Sequence, residues 1–316
     1  MPVVPRSTPA SLFSPCLGAL GLGLAWRQAA IVLGVPEAIG GAVLAAAGLV
    51  TIACLAGYLV RLARRPGAIL ADLAPPPARG FPAAGTMCLM LLAAALVPHW
   101  PGAARGLWWA ALALQGVVAT LTAWVIWRGR DCGLAPMPVL YLPFAGVIAA
   151  PLAGVALGEV MLSAVLIHGA MLPAAAIAAV TLWRALSAPV PPAQRPAQMI
   201  HLAPLSLFGT GAALIGHPTT FLFFFLTALV AAALLLLRVR WMAAGGFGPA
   251  WGAFTFPLAA FAGLCLLAEA RGPGLGALIF ALPALAAASV VIPWILVRAL
   301  AGWLRGGRVS GERAAA

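Results

Sequence analysis

The sequence is short of almost everything a water-soluble protein uses on its surface. It has no lysine at all: the 18 basic residues are all arginine, and only six residues are acidic. Charged residues make up 8% of the 316, where soluble domains carry about 25%. A chain that is 64% hydrophobic, with a mean hydropathy of +1.08, cannot cover a soluble globule, and the same hydrophobicity excludes disorder. Cysteine is sparse and scattered. Cys16, Cys54, Cys88, Cys132 and Cys265 form no CxxC pair, so neither a metal site nor a disulfide framework follows, and four of them fall in apolar runs as small buried hydrophobes. No HExxH, aspartate pair or GxSxG is present, and no aspartate, glutamate or arginine falls in the middle of the odd-numbered apolar runs. Acid–base, metal-dependent and nucleophilic enzymes are therefore not expected. Nucleic acid would suit a pI near 11.5, but no zinc-finger, RRM or helix-turn-helix pattern accompanies it.

What is present is a succession of apolar runs bounded by arginine, proline or glycine. At ~20 residues per crossing they divide into ten expected helices: 12–33, 37–60, 81–98, 104–127, 139–158, 160–185, 200–216, 218–238, 247–269 and 274–299. The first run follows Arg6 and is read as an uncleaved helix rather than a signal peptide, since no clean A-x-A-like site follows it. The expected fold class is an all-α membrane protein. Residues 1–10 and 304–316 are expected as cytoplasmic tails, and residues 11–303 as one transmembrane domain.

The arginines sort by side. Arg27, Arg105 and Arg271 follow helices one, three and nine, while the other fifteen lie at the N-terminus, after even-numbered helices or in the C-terminal tail. This asymmetry places both termini in the cytoplasm. The connections 61–80 and 186–199, rich in proline, are expected to be stiff and extended.

A repeat lies underneath. Pro15, Pro82, Pro143, Pro204 and Pro257 recur at roughly 60-residue intervals, one per odd helix. Three share the spacing Pro-x-x-Gly: Pro15 with Gly18, Pro82 with Gly85 and Pro143 with Gly146; Leu207 and Ala260 replace the glycine in the last two. A two-helix unit keeps its orientation from copy to copy, so five parallel hairpins can close into a ring. The odd helices would then be inside, around a passage that they kink and line. Pro257 cannot donate to the carbonyl of Ala253, so a bend is expected in the turn that holds Phe256. A bulky ring at such a bend is placed to plug the passage. Phe254, ~200° round the helix, should point elsewhere.

The remaining chemistry is histidine and aromatic. His201 is expected at the cytoplasmic mouth, where its protonation would add positive charge. His99, His168 and His217 read as packed or interfacial residues. Trp100, Trp108 and Trp109 read as an interfacial belt, and Phe221, Phe223, Phe224 and Phe225 as facing lipid or a neighbouring subunit.

Several stretches resemble a known family. They are the glycine-rich opening helix Pro15–Trp26, the Tyr-x-Pro-x-x-Gly segment Tyr141–Gly146, and the aromatic-Thr-Phe-Pro segment of 251–258. The stretch His201-Leu-Ala-Pro-Leu-Ser206 departs from that family's Ala-Pro-Pro at Leu205. Together they resemble the tellurite-resistance/dicarboxylate transporter family, which includes the plant slow-type anion channels. The resemblance implies a ten-helix channel, often a homotrimer, with a quasi-fivefold ring of hairpins in the bilayer. It implies a pore lined by odd helices and gated by Phe256, no cofactor or metal, and substrates among chloride, nitrate, sulfite, malate and tellurite-related anions. Helix N-termini at the cytoplasmic end, with about +0.5 charge each, favour anions independently. Two alternatives stay open: a proton-coupled dicarboxylate or sulfite carrier, and a non-conducting scaffold subunit. The expected location is an integral membrane protein of a bacterial inner membrane, without nucleic-acid partners.

Overall fold

The computed structural model describes residues 7–129, 137–272 and 276–305, all helix and connection with no strand among them. The expected tails, with Arg6, Arg308 and Arg313, lie largely outside the described residues, as do Arg130 and Cys132. In chain order the helices are α1 (Phe13–Leu33), α2 (Glu37–Arg64), α3 (Ala68–Leu73), α4 (Phe81–Leu96), α5 (Pro101–Arg128), α6 (Tyr141–Ala145), α7 (Pro151–Gly154), α8 (Val160–Ser187), α9 (Leu202–Leu214), α10 (Pro218–Leu237), α11 (Val239–Ala243), α12 (Thr255–Arg271) and α13 (Leu278–Leu304). Among the described residues eight helices are long and apolar enough to cross a membrane: α1, α2, α4, α5, α8, α10, α12 and α13, with α1, α4 and α12 extended at their starts by 3-10 turns.

The two remaining expected crossings are built differently. Residues 138–154 are punctuated by Pro138, Pro143 and Pro151 and break into a 3-10 turn, α6, a second 3-10 turn at Gly146–Ala149, and α7. Residues 192–214 open with ten residues of 3-10 helix, Pro192–His201, before the 13-residue α9. The proline-rich connections are therefore not simply extended. Proline fixes φ near −65°, which suits a 3-10 turn as well as an extended chain, and 61–80 likewise holds α3 and the 3-10 turn Pro76–Ala78. That connection is tied down. Arg61 pairs with Asp72 at 2.8 Å, the Tyr58 hydroxyl donates to the same carboxylate at 2.9 Å, and Arg79 donates to the Leu73 and Ala74 carbonyls that end α3, both at 3.1 Å.

Burial separates two sets of helices. In their most apolar windows α1, α4 and α12 have 61–78% of residues buried, against 17–33% for α2, α5, α8, α10 and α13. The buried set forms a cycle of neighbours. α1 packs on α4 and α12, α4 on α6 and α7, and α9 on α7 and α12. Each outer helix covers its hairpin partner: α2 on α1, α5 on α4, α8 on α6 and α7, α10 on α9, and α13 on α12.

Outer helix α5 repairs the broken segment. The α-helix stops at Ala145, so the carbonyls just before it lose their ladder partners. The fully buried Gln115 supplies them: its Nε2 donates to the Leu142 carbonyl at 2.7 Å and the Pro143 carbonyl at 3.0 Å, and its Oε1 accepts from the Thr86 hydroxyl. Gly146 leaves the room, since a Cβ there would stand 2.9 Å from the Gln115 Nε2. One α-helical stretch away, the indole of Trp108 donates to the Ala150 carbonyl at 2.9 Å. Trp108 is thus fully buried and not part of an interfacial belt, unlike the exposed Trp100 and Trp109. Gln115→Leu should strand two buried carbonyls and cost about 2–5 kcal/mol. The check is thermal unfolding of the detergent-solubilised protein, and an unchanged melting temperature would remove Gln115 from this role.

The phenylalanines of α10 also differ from expectation. Phe221 and Phe225, four apart and hence on one face, are buried and stack at 5.9 Å, and Phe224 stacks on Phe208 of α9 at 5.0 Å. Only Phe223 points outward, 62% exposed.

Candidate functional site

The five prolines of the repeat do one local job. Pro15, Pro143, Pro204 and Pro257 are each the third residue of an α-helix, and Pro82 is the second. A 3-10 stretch precedes every one of those helices, separated from α4 by two residues and abutting the helix elsewhere. Proline is tolerated there because first-turn N–H groups have no helical partner to lose. The expected kinks are therefore helix starts, where 3-10 geometry changes to α. At Phe256 the change falls between Phe254 and Thr255, and Pro257 opens α12 rather than bending its middle.

These five starts surround a cavity with room of about 80 Å³ for water-sized molecules, partly open to the outside. Its walls come from all five inner segments and from none of α2, α5, α8, α10 or α13. The residue just before each proline lines it: Ser14, Phe81, Leu142, Ala203 and Phe256. Among the described residues no charged side chain lines the cavity; the polar side chains on its wall are Ser14, Tyr141 and Gln194. The longer helices α1, α4, α9 and α12 start at this wall, so the positive ends of four helix dipoles are turned toward the cavity.

Of the residues singled out in the sequence, Phe256, Pro257, Gly146 and Pro204 lie on the cavity wall. Pro15, Gly18, Pro82, Gly85 and Pro143 lie behind it, in the seams between helices. A Cβ on Gly85 would stand 3.0 Å from the Phe13 ring, and one on Gly18 would overlap the Thr255 side chain and come within 2.9 Å of the Phe256 nitrogen. His201 is also behind the wall. Its Nδ1 is 3.0 Å from the hydroxyl of cavity-lining Tyr141, and its Nε2 is buried without a partner among the described residues.

Phe256 is held on two sides. Its ring lies over α1, where a Cβ on Gly21 would be 3.1 Å from the ring edge. Its backbone is fixed by its neighbour: the buried Thr255 hydroxyl sits 3.0 Å from the Ser14 carbonyl and 2.7 Å from that of Gly252. Phe254 goes elsewhere, into a separate cluster with Met242 and Ile295, its ring 5.4 Å from that of Trp251. Sequence reasoning missed Ser14, Phe81, Leu142 and Ala203, although the repeat marks them as the positions preceding each proline. It also missed Gly21 and Thr255, whose roles depend on how α1 meets α12.

Residues 7–301 match a family model described as SLAC1, voltage-dependent anion channel. A comparison with curated proteins finds no match.

Proposed function

The chain belongs to the voltage-dependent anion channel family, and from that premise we propose that it passes small anions across a membrane through the cavity shared by its five inner segments. The observation that carries the proposal is the composition of that wall among the described residues: a contribution from every inner segment, none from an outer helix, and no carboxylate. In this reading the chain crosses the bilayer ten times, as five parallel hairpins ringed around the cavity, with both termini cytoplasmic. The two broken segments, 138–154 and 192–214, make their crossings as inner walls shielded from lipid, where irregular backbone is tolerated because neighbours satisfy it. Phe256 is the gate, and Gly18, Gly85 and Gly146 are the close-packing points that hold the ring narrow.

The chemistry favours chloride- or nitrate-like anions, with sulfite, tellurite and dicarboxylates as larger candidates. Selection comes from helix-end fields and passage width, not from a fixed salt bridge, so binding is weak and transit rapid. The protein is a transport protein, not an enzyme, and works as a homotrimer in a bacterial inner membrane.

Purified protein in planar bilayers under a chloride gradient tests this. Current should reverse near the chloride equilibrium potential and survive exchange of chloride for nitrate. A reversal that follows the proton gradient, or no current at all, overturns the channel reading. The topology has its own check: reporter fusions after Arg65, Arg130, Arg195 and Arg240 should all report cytoplasm, and one reporting the outside breaks the assignment.

A further inference from the structure

We propose that His168 and His217 form a two-histidine site for a divalent transition metal at the arginine-poor end of the molecule. His168 lies in α8 and His217 immediately precedes α10, and their rings meet with centroids 5.6 Å apart and planes inclined at 59°. Both side chains are exposed. The Nδ1 of His168 is 2.7 Å from the Ala164 carbonyl. A carbonyl oxygen can only accept, so Nδ1 carries the hydrogen, and in the neutral ring the lone pair is on Nε2. Metal-binding histidines are oriented in this way, with the second ring nitrogen donating to a carbonyl or carboxylate. Two imidazole nitrogens at ~2.0–2.1 Å from one tetrahedral ion put their ring centroids about 5 Å apart. The observed separation is close to that spacing.

The setting decides the kind of site. The apolar run of α10 lies between His217 and Arg238, and its 20 residues span ~30 Å, the thickness of the hydrocarbon core. His217 thus sits at one boundary of that core and the arginine at the other, beside the exposed Gly216 and Thr219. Among the described residues no third histidine, cysteine or carboxylate completes a closed cage. Water would fill the remaining positions, which makes the site open and exchangeable. Imidazole ligands suit Zn²⁺, Cu²⁺ and Ni²⁺ rather than Mg²⁺ or Ca²⁺. A bound ion would staple α8 to α10, two outer helices otherwise joined through α9.

Calorimetric titration of the full-length protein in detergent with Zn²⁺ and with Ni²⁺ should give one site per chain with micromolar affinity, and Mg²⁺ should give none. His168→Gln and His217→Gln should each weaken binding by about tenfold or more, and His99→Gln should leave it unchanged. Cu²⁺ added to the unmodified protein should show nitrogen hyperfine structure from two imidazoles in its paramagnetic resonance spectrum, a readout that does not depend on any variant folding. Binding that both substitutions leave intact, or a Cu²⁺ spectrum with one nitrogen ligand or none, overturns the site.

Discussion

Phe256→Ala is expected to raise anion current through the reconstituted protein by about tenfold or more, since taking only ~1.4 kcal/mol off a permeation barrier is a tenfold change in rate. The ring lines the cavity on one side and lies against Gly21 on the other, and it is only 6% exposed. Hydrophobic constrictions of this kind close by excluding water, so truncation to a methyl group widens and wets the passage. The stability cost should be modest. A fully enclosed Phe→Ala change costs ~3–5 kcal/mol, but here one face of the lost ring borders a cavity that already exists. Phe254→Ala is the matched control. It empties the cluster of Met242 and Ile295, so it should pay the enclosed-cavity cost in melting temperature and leave the current unchanged. Normal assembly with unaltered current in Phe256→Ala would sink the gate. If Phe254→Ala gave the larger current, the passage would run through the other cluster.

The sequence carried the eight membrane-length helices well because apolar length is a one-dimensional signal. It carried the repeat too, but not its meaning. A proline in an apolar run reads as a kink when the helix is assumed to extend on both sides of it. Pro15, Pro82, Pro143, Pro204 and Pro257 instead stand in first turns, because what precedes each is 3-10 helix. That distinction rests on ψ, which the proline ring does not fix. The cavity positions follow from the same register: once Phe256 is placed before Pro257, Ser14, Phe81, Leu142 and Ala203 are its counterparts, and they could have been named from spacing alone.

Other features were out of reach for a different reason. Gln115 is one polar residue in an apolar helix, and nothing local says that the carbonyls it serves lie on a segment 27 and 28 positions away. Trp108 and Trp109 are adjacent, so they point in different directions, and only the packing of α5 decides which is buried. His201 looks like a pore residue by position, yet its ring turns to the hydroxyl of Tyr141, and it is the tyrosine that meets the cavity. In each case the missing information is which face of a helix a neighbour occupies.

The seam between α1 and α12 carries the second large expected effect. A Cβ on Gly18 would overlap the side chain of Thr255 and stand 2.9 Å from the backbone nitrogen of Phe256, so neither a rotamer change nor a flexible tip can absorb it. Gly18→Ala must therefore part the two helices. Overpacking of this kind costs about 1–3 kcal/mol, and losing the hydrogen bond from Thr255 to the Ser14 carbonyl adds about 1 kcal/mol. The same displacement carries the first turn of α12, with Phe256 on it, away from Gly21. Gly18→Ala is thus expected to lower the melting temperature and to give a standing anion current without any change to Phe256 itself. Gly41→Ala, at a helical position whose Cβ would meet nothing within 4 Å, should instead be neutral or slightly stabilising. Thr255→Gly separates steric displacement from a general loss of stability. Alone it forfeits the hydrogen bond; combined with Gly18→Ala it removes the severe overlap and leaves only the 2.9 Å approach to the Phe256 nitrogen, so the double variant should recover most of the closure and the two changes should couple strongly in a double-mutant cycle. Additive effects in that cycle, or a Gly18→Ala protein that melts and conducts like the parent, would show that the α1–α12 contact does not set the position of the Phe256 ring.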